Sequence, residues 1–320
     1  MATADKKKNP EKTAPKKKTS TPSRKKKAAP NPDPKASEPE KTADDSIQCI
    51  GTGCLEIIER KPAKATGKPP ILFIHGAFIS AKCWEVYYLD YFAEKGYHAI
   101  AISLSGHGAS KGGDKLYTLA ISDYVKDVAS VIATMDQEPI LVGHSMGGLI
   151  IQDYLKLPGS RAKAAVLMAS SPPEGLSRTA PTMLFQHPAS CMKLNMINML
   201  PRSMWAEFIS AEELRDIFFS KLTSLESIMR FLPMFQHESP MAIFEMTFFD
   251  LFTIRKINVP IFVMGGENDI IIPPGFVKYT ASFYNTKPVV LENEGHAIML
   301  SDDWKTGADR IIKWLDEIGL

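Results

Sequence analysis

The sequence is poor in cysteine, and its first 45 residues lack both aromatic side chains and apolar stretches. The four cysteines among 320 residues, Cys49, Cys54, Cys83 and Cys191, have no spacing typical of a metal site. We therefore expect reduced structural thiols and a cytoplasmic location, with no bound metal. Because residues 1–45 contain no apolar stretch, we expect neither a secretory signal nor a transmembrane segment there.

Positive charge is concentrated at the start of the chain. Residues 1–45 hold twelve lysines and one arginine against seven acidic residues, although the formal net charge of the whole chain is +2. With seven prolines and no aromatic residue, this segment cannot bury enough apolar surface to offset the entropy cost of ordering. We predict a disordered basic tail over residues 1–45. Three roles fit it: a solvated extension, a targeting signal, or a segment that binds an anionic surface such as nucleic acid or phospholipid.

From residue 46 onward, short apolar runs alternate with helical patterns. The continuous runs at residues 71–74 and 140–142 are typical of parallel strands that are buried on both faces. Two further runs flank Gly51-Thr52-Gly53 and predict an antiparallel hairpin at the sheet edge. This alternation favours an α/β fold with a mostly parallel central sheet and helices on both faces. The predicted helices cover residues 80–95, 121–135 and 304–318, and the other predicted strands cover residues 98–102, 164–169, 261–264 and 289–291.

Residues 172–256 interrupt this alternation and read as several helices joined by loops. They contain nine of the fifteen methionines and ten of the sixteen phenylalanines. A small helical insertion has little interior of its own, so we expect part of its apolar surface to cover the C-terminal edge of the sheet. Flexible thioethers and phenyl rings at that place favour an apolar substrate tunnel over a polar pocket.

Residues 143–147, Gly-His-Ser-Met-Gly, lie between a predicted strand and a predicted helix. The pattern predicts a sharp turn with Ser145 at its apex. Such a turn brings the chain on either side so close that only very small residues fit, and Gly143 and Gly147 meet that need. The turn places the Ser145 hydroxyl at the N-terminal end of the helix, where it can attack a carbonyl. The motif by itself also fits an ordinary strand–turn–helix connection whose glycines serve only packing. The flanking segments and the candidate partners of Ser145 further along the chain must decide between this interpretation and a nucleophilic serine.

Four segments together resemble the α/β-hydrolase superfamily. They are His75-Gly76-Ala77, residues 143–148, Gly266-Glu267-Asn268-Asp269 and Gly295-His296. The pattern is most similar to the monoglyceride-lipase and lysophospholipase-like serine hydrolases, and it covers roughly residues 46–320. The resemblance implies an α/β-hydrolase fold in which the insertion at about 172–256 forms a helical cap.

One loop departs from the pattern of the family. Relatives often carry Asp-x-Arg-Gly-His-Gly-x-Ser after the fourth strand, whereas residues 103–110 read Ser-Leu-Ser-Gly-His-Gly-Ala-Ser here. Ser103 and Ser105 stand at the two charged positions. The salt bridge that normally braces this loop is therefore expected to be absent or replaced.

A serine nucleophile needs a base that removes its proton as it attacks. The superfamily order of nucleophile, acid and base implies that His296 is the base, since it follows Gly295 just before the last predicted helix. An acid must then orient the imidazole, and Asp269 has that place directly after the predicted strand at 261–264. Glu267 is the competing acid, and we expect it instead to brace its own turn.

The tetrahedral intermediate needs backbone N–H groups that already point at its oxyanion. The motif implies the amide of Met146, directly after the nucleophile, and the amide of Ala77, with Phe78 as a neighbour that could substitute for it. His75 belongs to the oxyanion loop and His144 to the turn of the serine, so neither is the expected base.

These residues predict a serine hydrolase that cleaves carboxylic esters with apolar acyl groups, through an acyl-enzyme intermediate and without a cofactor. An acyl thioesterase would use the same groups. A cofactor-free lyase or oxygenase with a similar Ser–His pair is another alternative, and a non-catalytic binding protein is a third. The sequence leaves the acyl chain, the leaving group and the oligomeric state open.

Overall fold

The structure is a computed structural model, and it describes residues 47–50, 53–248 and 257–320. The predicted basic tail at 1–45 lies outside the described residues. Among the helices within these ranges, none combines the length and the apolar character that crossing a bilayer requires.

Eight strands of the described residues form one central sheet: β1 (Ile47–Ile50), β2 (Gly53–Arg60), β3 (Ile71–Ile74), β4 (Ala99–Ile102), β5 (Ile140–His144), β6 (Ala164–Met168), β7 (Ile261–Gly266) and β8 (Pro288–Leu291). They lie side by side in the order β1-β2-β4-β3-β5-β6-β7-β8. The strands from β4 to β8 pair in parallel, whereas β1 and β2 form an antiparallel hairpin at one edge. The predicted parallel sheet with an edge hairpin is confirmed.

The middle strands are apolar along their whole length because both faces of the sheet are covered. Every residue of β3, β4, β5 and β6 is buried. Successive side chains point to opposite faces, so Phe73 joins one apolar cluster while Leu72 and Ile74 join the other. This double coverage confirms the predicted α/β class.

Twelve α-helices lie within the described residues: α1 (Lys82–Glu85), α2 (Tyr88–Glu94), α3 (Ile121–Ala133), α4 (Met146–Lys156), α5 (Thr179–Gln186), α6 (Pro188–Met199), α7 (Trp205–Phe208), α8 (Ala211–Phe218), α9 (Leu225–Phe231), α10 (Pro240–Phe248), α11 (Pro274–Phe283) and α12 (Trp304–Glu317). The sequence predicted one helix over residues 80–95, but the structure has α1 and α2 there. Tyr87 separates them with a non-helical backbone, φ −141° and ψ −43°. Its ring stacks on Trp304 with 4.9 Å between the ring centroids, a tertiary contact that the local pattern does not reveal.

The helices α5 to α10 lie between β6 and β7, within the segment predicted as an insertion. They are short, with α6 the longest at 12 residues. Local signals set some of their ends: the Ser210 hydroxyl accepts from the Glu213 amide, and the Glu213 carboxylate accepts from the Ser210 amide. Residues 249–256, at the end of the predicted insertion, lie outside the described residues.

The prediction of reduced thiols was wrong for Cys49 and Cys54, which form a disulfide. They face each other directly in the antiparallel register of β1 and β2, a pairing that linear spacing does not show. Cys83 and Cys191 are free, and burial raises the pKa of the Cys83 thiol well above its ordinary value. Because disulfides are typical of oxidising compartments, this pair removes one ground for the predicted cytoplasmic location.

Candidate active site

Ser145 lies at a sharp turn between the end of β5 and the start of α4. Its backbone has φ +52° and ψ −117°, a conformation that residues other than glycine rarely adopt. A Cβ on Gly143 would lie 2.5 Å from the carbonyl oxygen of Gly147, and a Cβ on Gly147 would lie 2.5 Å from that of Ile74. The close approach of the chain therefore requires both glycines, for the reason inferred from the motif.

Asp269 and His296 lie together at the C-terminal edge of the sheet. Nδ1 of His296 is 2.7 Å from Oδ2 of Asp269, and both side chains are buried. The other carboxylate oxygen accepts hydrogen bonds of 2.8 Å from the amides of Ile271 and Ile272, which fix its orientation. A carboxylate held in this way favours the Nδ1–H tautomer of His296 and leaves the lone pair of Nε2 available as a base.

Ser145 and His296 line the same cavity. Among the described residues, the His296 ring forms its hydrogen bond with Asp269 and not with the Ser145 hydroxyl. Bonds between a nucleophile and its base are often long without substrate and tighten when substrate binds. The structure thus brings the three side chains of the predicted triad to one place, with the bond between acid and base already formed.

Glu267, the competing acid, points to other partners. Its side chain is exposed, and its carboxylate accepts a hydrogen bond of 3.1 Å from the amide of Asn293. Its own amide donates to the carbonyl oxygen of Leu291 at 2.9 Å. These bonds brace the turns that follow β7 and β8.

His75 uses both of its ring nitrogens for structure. Nε2 accepts from the amide of Leu104 at 3.0 Å, and Nδ1 lies 2.8 Å from the carbonyl oxygen of Gly76. Burial, with a smaller contribution from the nearby His107, lowers the pKa of His75 to about 3. A neutral His75 links the end of β3 to the loop after β4, and no nitrogen remains to act as a base.

His144 ties the serine turn to the loop that carries His296. Nε2 of His144 lies 3.0 Å from the carbonyl oxygen of His296, so this nitrogen is the donor. Burial, followed by the adjacent His296 imidazole, lowers the pKa of His144 well below its ordinary value of 6.5. His144 is therefore a neutral residue that holds the backbone of His296.

The amides predicted to form the oxyanion hole are available. In the described part of the chain, the amides of Ala77 and Met146 donate to no other protein group. Ala77 lines the cavity together with Ser145. The next residue, Phe78, has φ +66°, so the chain turns sharply directly after Ala77. Two unpaired amides beside a serine are what an oxyanion hole requires.

The cavity above Ser145 is walled mainly by apolar side chains and holds about 80 Å³ of free space. A largely apolar wall with a few convergent polar groups is typical of a small-molecule site. Within the described residues, no cluster of three His, Cys, Asp or Glu side chains is arranged to hold a metal ion. The apolar residues that the insertion adds to the wall are Leu176, Leu194, Phe218, Phe235, Ile243 and Met246.

The loop at residues 103–110 is braced by hydrogen bonds in place of the family salt bridge. The Ser103 hydroxyl donates to the buried Glu56 carboxylate at 2.6 Å. The Ser105 amide and hydroxyl donate to the two oxygens of Asp127 at 2.8 and 2.9 Å. Two serines and two carboxylates therefore replace the charged pair, one of the two outcomes expected from the sequence.

A buried ion pair joins the insertion to the rest of the α/β domain, residues 46–171 and 257–320, which we call the body; sequence reasoning missed this pair. Nε2 of His107 lies 3.0 Å from Oε2 of Glu238, and the Tyr124 hydroxyl donates to the other carboxylate oxygen at 2.8 Å. Burial opposes the charged form of both groups, but their attraction outweighs it, raising the pKa of His107 and lowering that of Glu238. The partners are 131 residues apart, so no local pattern could have paired them.

Comparison with known proteins identifies a family. The profile of the Alpha/beta hydrolase family matches residues 71–309. A non-heme chloroperoxidase from Burkholderia pyrrocinia is 32% identical over 108 residues, which are 32% of this chain and 38% of the relative. A bifunctional esterase/perhydrolase from Acinetobacter calcoaceticus is 32% identical over 111 residues, 33% of this chain and 38% of the relative. The chain thus spans little more than a third of the length of these relatives.

Solved structures share the architecture. An esterase from Exiguobacterium antarcticum superposes with a TM-score of 0.66 and 19% identity, covering 84% of this chain and 98% of that one. At this identity the likeness concerns the fold alone. The narrower resemblance to monoglyceride-lipase-like enzymes stays a prediction.

Proposed function

The chain belongs to the alpha/beta hydrolase family, and we propose that it is a serine hydrolase that cleaves carboxylic esters with apolar acyl groups. The observation that carries the proposal is the buried Asp269–His296 hydrogen bond of 2.7 Å, whose histidine lines one apolar cavity together with Ser145. Ser145 would be the nucleophile, His296 the base and Asp269 the acid that orients it. The strained backbone of Ser145 supports this role, because such strain is concentrated at functional sites.

In the first half of the proposed reaction, Oγ of Ser145 attacks the ester carbonyl carbon while Nε2 of His296 takes the hydroxyl proton. Asp269 accepts the Nδ1–H hydrogen bond and stabilises the imidazolium. The amides of Ala77 and Met146 bind the oxyanion. As the intermediate collapses, the bond to the leaving alcohol breaks, His296 returns its proton to the alcohol oxygen, and the acyl group stays on Ser145.

In the second half, water replaces the alcohol. His296 takes a proton from the water, whose oxygen attacks the acyl carbon. Collapse of the second intermediate breaks the bond to Oγ of Ser145, which regains the proton, and the carboxylic acid leaves. All the catalytic groups come from this chain, so the proposed cycle uses no cofactor.

The apolar wall of the cavity favours the binding of an apolar acyl group of the substrate. The body adds Ile79, Ile271 and Leu300 to the apolar residues of the insertion. Burying an apolar chain against them stabilises the complex by about 0.8 kcal/mol for each methylene. A cavity of about 80 Å³ favours a short acyl group.

Hydrolysis of short-chain nitrophenyl esters tests the proposal. We expect the wild-type protein to release free acid and to be labelled covalently by a fluorophosphonate, and we expect Ser145→Ala to lose both. Ser171→Ala is the matched control, because it removes another hydroxyl group from the cavity wall. It should keep most of the hydrolysis and most of the labelling. Labelling without release of free acid would favour the lyase alternative. Faster turnover of acyl thioesters than of esters with the same chain would favour the thioesterase. The absence of both labelling and turnover would support a non-catalytic protein.

A second candidate reaction uses the same acyl-enzyme. The relatives named as chloroperoxidase and as esterase/perhydrolase favour it. Hydrogen peroxide in place of water would attack the acyl carbon, releasing a peracid and restoring the Ser145 hydroxyl. Peracid formed from a short-chain ester and peroxide, and lost in Ser145→Ala, would support this reaction; hydrolysis without any peracid would remove it.

For the basic tail we propose binding to an anionic surface. The first thirty residues carry eleven basic against two acidic side chains. Deleting residues 1–45 should leave turnover of a small soluble ester unchanged but weaken co-sedimentation with anionic vesicles or gel shift of DNA. Binding by the intact chain should fall as salt rises from about 50 to about 200 mM, because each neutralised phosphate releases a counterion. Equal binding by both proteins at low salt would make the tail a solvated extension.

A further inference from the structure

The insertion contacts two loops of the body through residues 235–239, which we call the strap. One is the loop after β3, which carries Ala77 and Phe78. The other is the loop after β4 at residues 103–110. The strap leads directly into α10.

Gln236 makes three of the hydrogen bonds of the strap. Its backbone N–H donates to the carbonyl oxygen of Phe78 at 2.8 Å. Its side-chain Nε2 donates to the carbonyl oxygen of Ile79 at 3.2 Å. Its side-chain Oε1 accepts from the amide of Gly108 at 3.1 Å. One residue therefore links both loops to each other.

A carboxamide suits this position for a chemical reason. The Ile79 carbonyl can only accept and the Gly108 amide can only donate, so the side chain between them must carry one donor and one acceptor. An apolar side chain of the same length offers neither, and a carboxylate offers acceptors alone. The partners thus select glutamine and set the orientation of its amide.

The strap is anchored next to Gln236 by Glu238. This carboxylate is fully buried and accepts from Tyr124, from the Ser239 amide at 2.7 Å and from His107, the neighbour of Gly108. The Ser239 hydroxyl donates to the carbonyl oxygen of Leu119. Removing one partner of a buried ion pair is costly, so this anchor holds the register of the strap firmly.

The bonded carbonyls belong to a strained stretch. Phe78 has φ +66°, which costs a non-glycine residue free energy and persists only where the surroundings enforce it. Gln236 holds the carbonyls of Phe78 and Ile79, directly after the unpaired amide of Ala77. Resting on the ester hydrolysis proposed above, we propose that Gln236 is a positioning residue of the oxyanion hole, through which the insertion holds the Ala77 amide in place.

Steady-state kinetics of Gln236→Met test this role. Methionine keeps the length of the side chain and removes both of its hydrogen bonds. A misplaced oxyanion donor reduces the stabilisation of the transition state more than it reduces substrate binding. We therefore expect kcat to fall on the order of tenfold with KM nearly unchanged. Gln186→Met, at an exposed residue at the end of α5, is the matched control and should leave both constants unchanged.

Gln236→Glu supplies a readout that a purely structural residue would not give. When the introduced carboxyl is protonated, it offers one donor and one acceptor, as the carboxamide does; when it is ionised, the donor to Ile79 is lost. Its kcat relative to wild type should therefore rise several-fold as the pH falls from about 8 to about 5. The ratio for Gln236→Met should stay flat over the same range, since His107, Glu238 and the triad are the same in both variants.

The outcomes separate this inference from the proposed function. Wild-type protein without esterase activity overturns both. Active wild type with an unchanged kcat in Gln236→Met, or with a higher KM and the same kcat, overturns only the role of Gln236. If Gln236→Met unfolds, the pH-dependent ratio of Gln236→Glu still decides, and a flat ratio overturns the inference.

Discussion

The body of the protein and its insertion differ in how they use apolar residues. The body buries them in two clusters, one on each face of the sheet. The insertion leaves many of them in contact with solvent: of the fourteen large apolar side chains exposed among the described residues, eleven lie between residues 184 and 248. Its helices bury some residues, such as Leu214 and Phe231, in the same cluster as the body. They are short, however, and a small unit has much surface for its volume, so part of their apolar surface stays exposed.

The candidate active site divides along the same line. Ser145, Asp269 and His296 follow the strands β5, β7 and β8 of the body. Six apolar residues of the wall come instead from the insertion. We infer that the body supplies the reacting groups, that Gln236 of the insertion positions one of them, and that the apolar wall of the insertion selects the substrate. Substitutions at the triad and in that wall should therefore change different kinetic constants.

The largest effect should come from Ser145→Ala in the body. The change removes one oxygen from a strained turn, so the protein should fold normally while kcat falls on the order of a millionfold, and by at least about a thousandfold. Ester hydrolysis and circular dichroism measure the two effects. Retention of more than about a tenth of the activity would remove Ser145 as the nucleophile.

Asp269→Asn should have the next largest effect. The amide no longer holds the Nδ1–H tautomer of His296, so kcat should fall on the order of ten-thousandfold with little change in KM. Glu267→Gln is the matched control, since within the part of the chain that the structure describes this exposed carboxylate accepts only from the Asn293 amide, and its effect should be small. If Glu267→Gln proves the more damaging change, the acid lies two residues earlier than assigned.

Glu238→Gln tests the bond between the two regions and should act on stability. Loss of the buried carboxylate leaves the His107 imidazolium without its charged partner, at a cost of about 3 kcal/mol in the free energy of unfolding. Urea unfolding measures this. Glu245→Gln, where the Glu245 side chain accepts from the Ile121 amide of the body, is the control and should cost less than about 1 kcal/mol because a carboxamide oxygen can also accept.

Because His107 and Glu238 form an ion pair, the stability lost in Glu238→Gln should depend on pH. The pKa of His107 is raised in the fold, so its contribution is complete below 6.5 and is lost as the pH rises through the folded-state value. The pKa of Glu238 is lowered, so its contribution is complete above 4.5 and is lost as the pH falls through the folded-state value. The stability difference between wild type and Glu238→Gln should therefore be largest from about pH 4.5 to about pH 6.5. A difference that is independent of pH would contradict the ion pair.

The smallest expected effect is on substrate preference. Leu194→Ala removes part of the wall that the insertion supplies, which should raise kcat/KM for longer acyl chains a few-fold relative to short ones. Leu184→Ala makes the same chemical change at an exposed residue of α5 and should leave the preference unchanged. A lower rate on every ester without a change in preference would place control of the substrate in the body.

Much of the body could be predicted because its signals are local. A strand is predicted by the apolar run at Ile71–Ile74, and a sharp turn is predicted by the glycines at 143 and 147. The structure has both. The break at Tyr87 and the disulfide between Cys49 and Cys54 could not be predicted in this way. The break depends on Trp304, which only the folded chain brings near. The disulfide depends on the register of β1 against β2 within the predicted hairpin, which the sequence left open.

The sequence by itself determined the order of strands and helices and the turn that carries Ser145, since hydrophobic period and backbone conformation act over a few neighbouring residues. It also placed Asp269 and His296 after their strands, because the ends of parallel strands meet at one edge of a sheet. Only the tertiary structure decided how the insertion meets the body. The contacts of Gln236 and Glu238 join residues more than a hundred positions apart, and such pairings depend on the whole fold being formed.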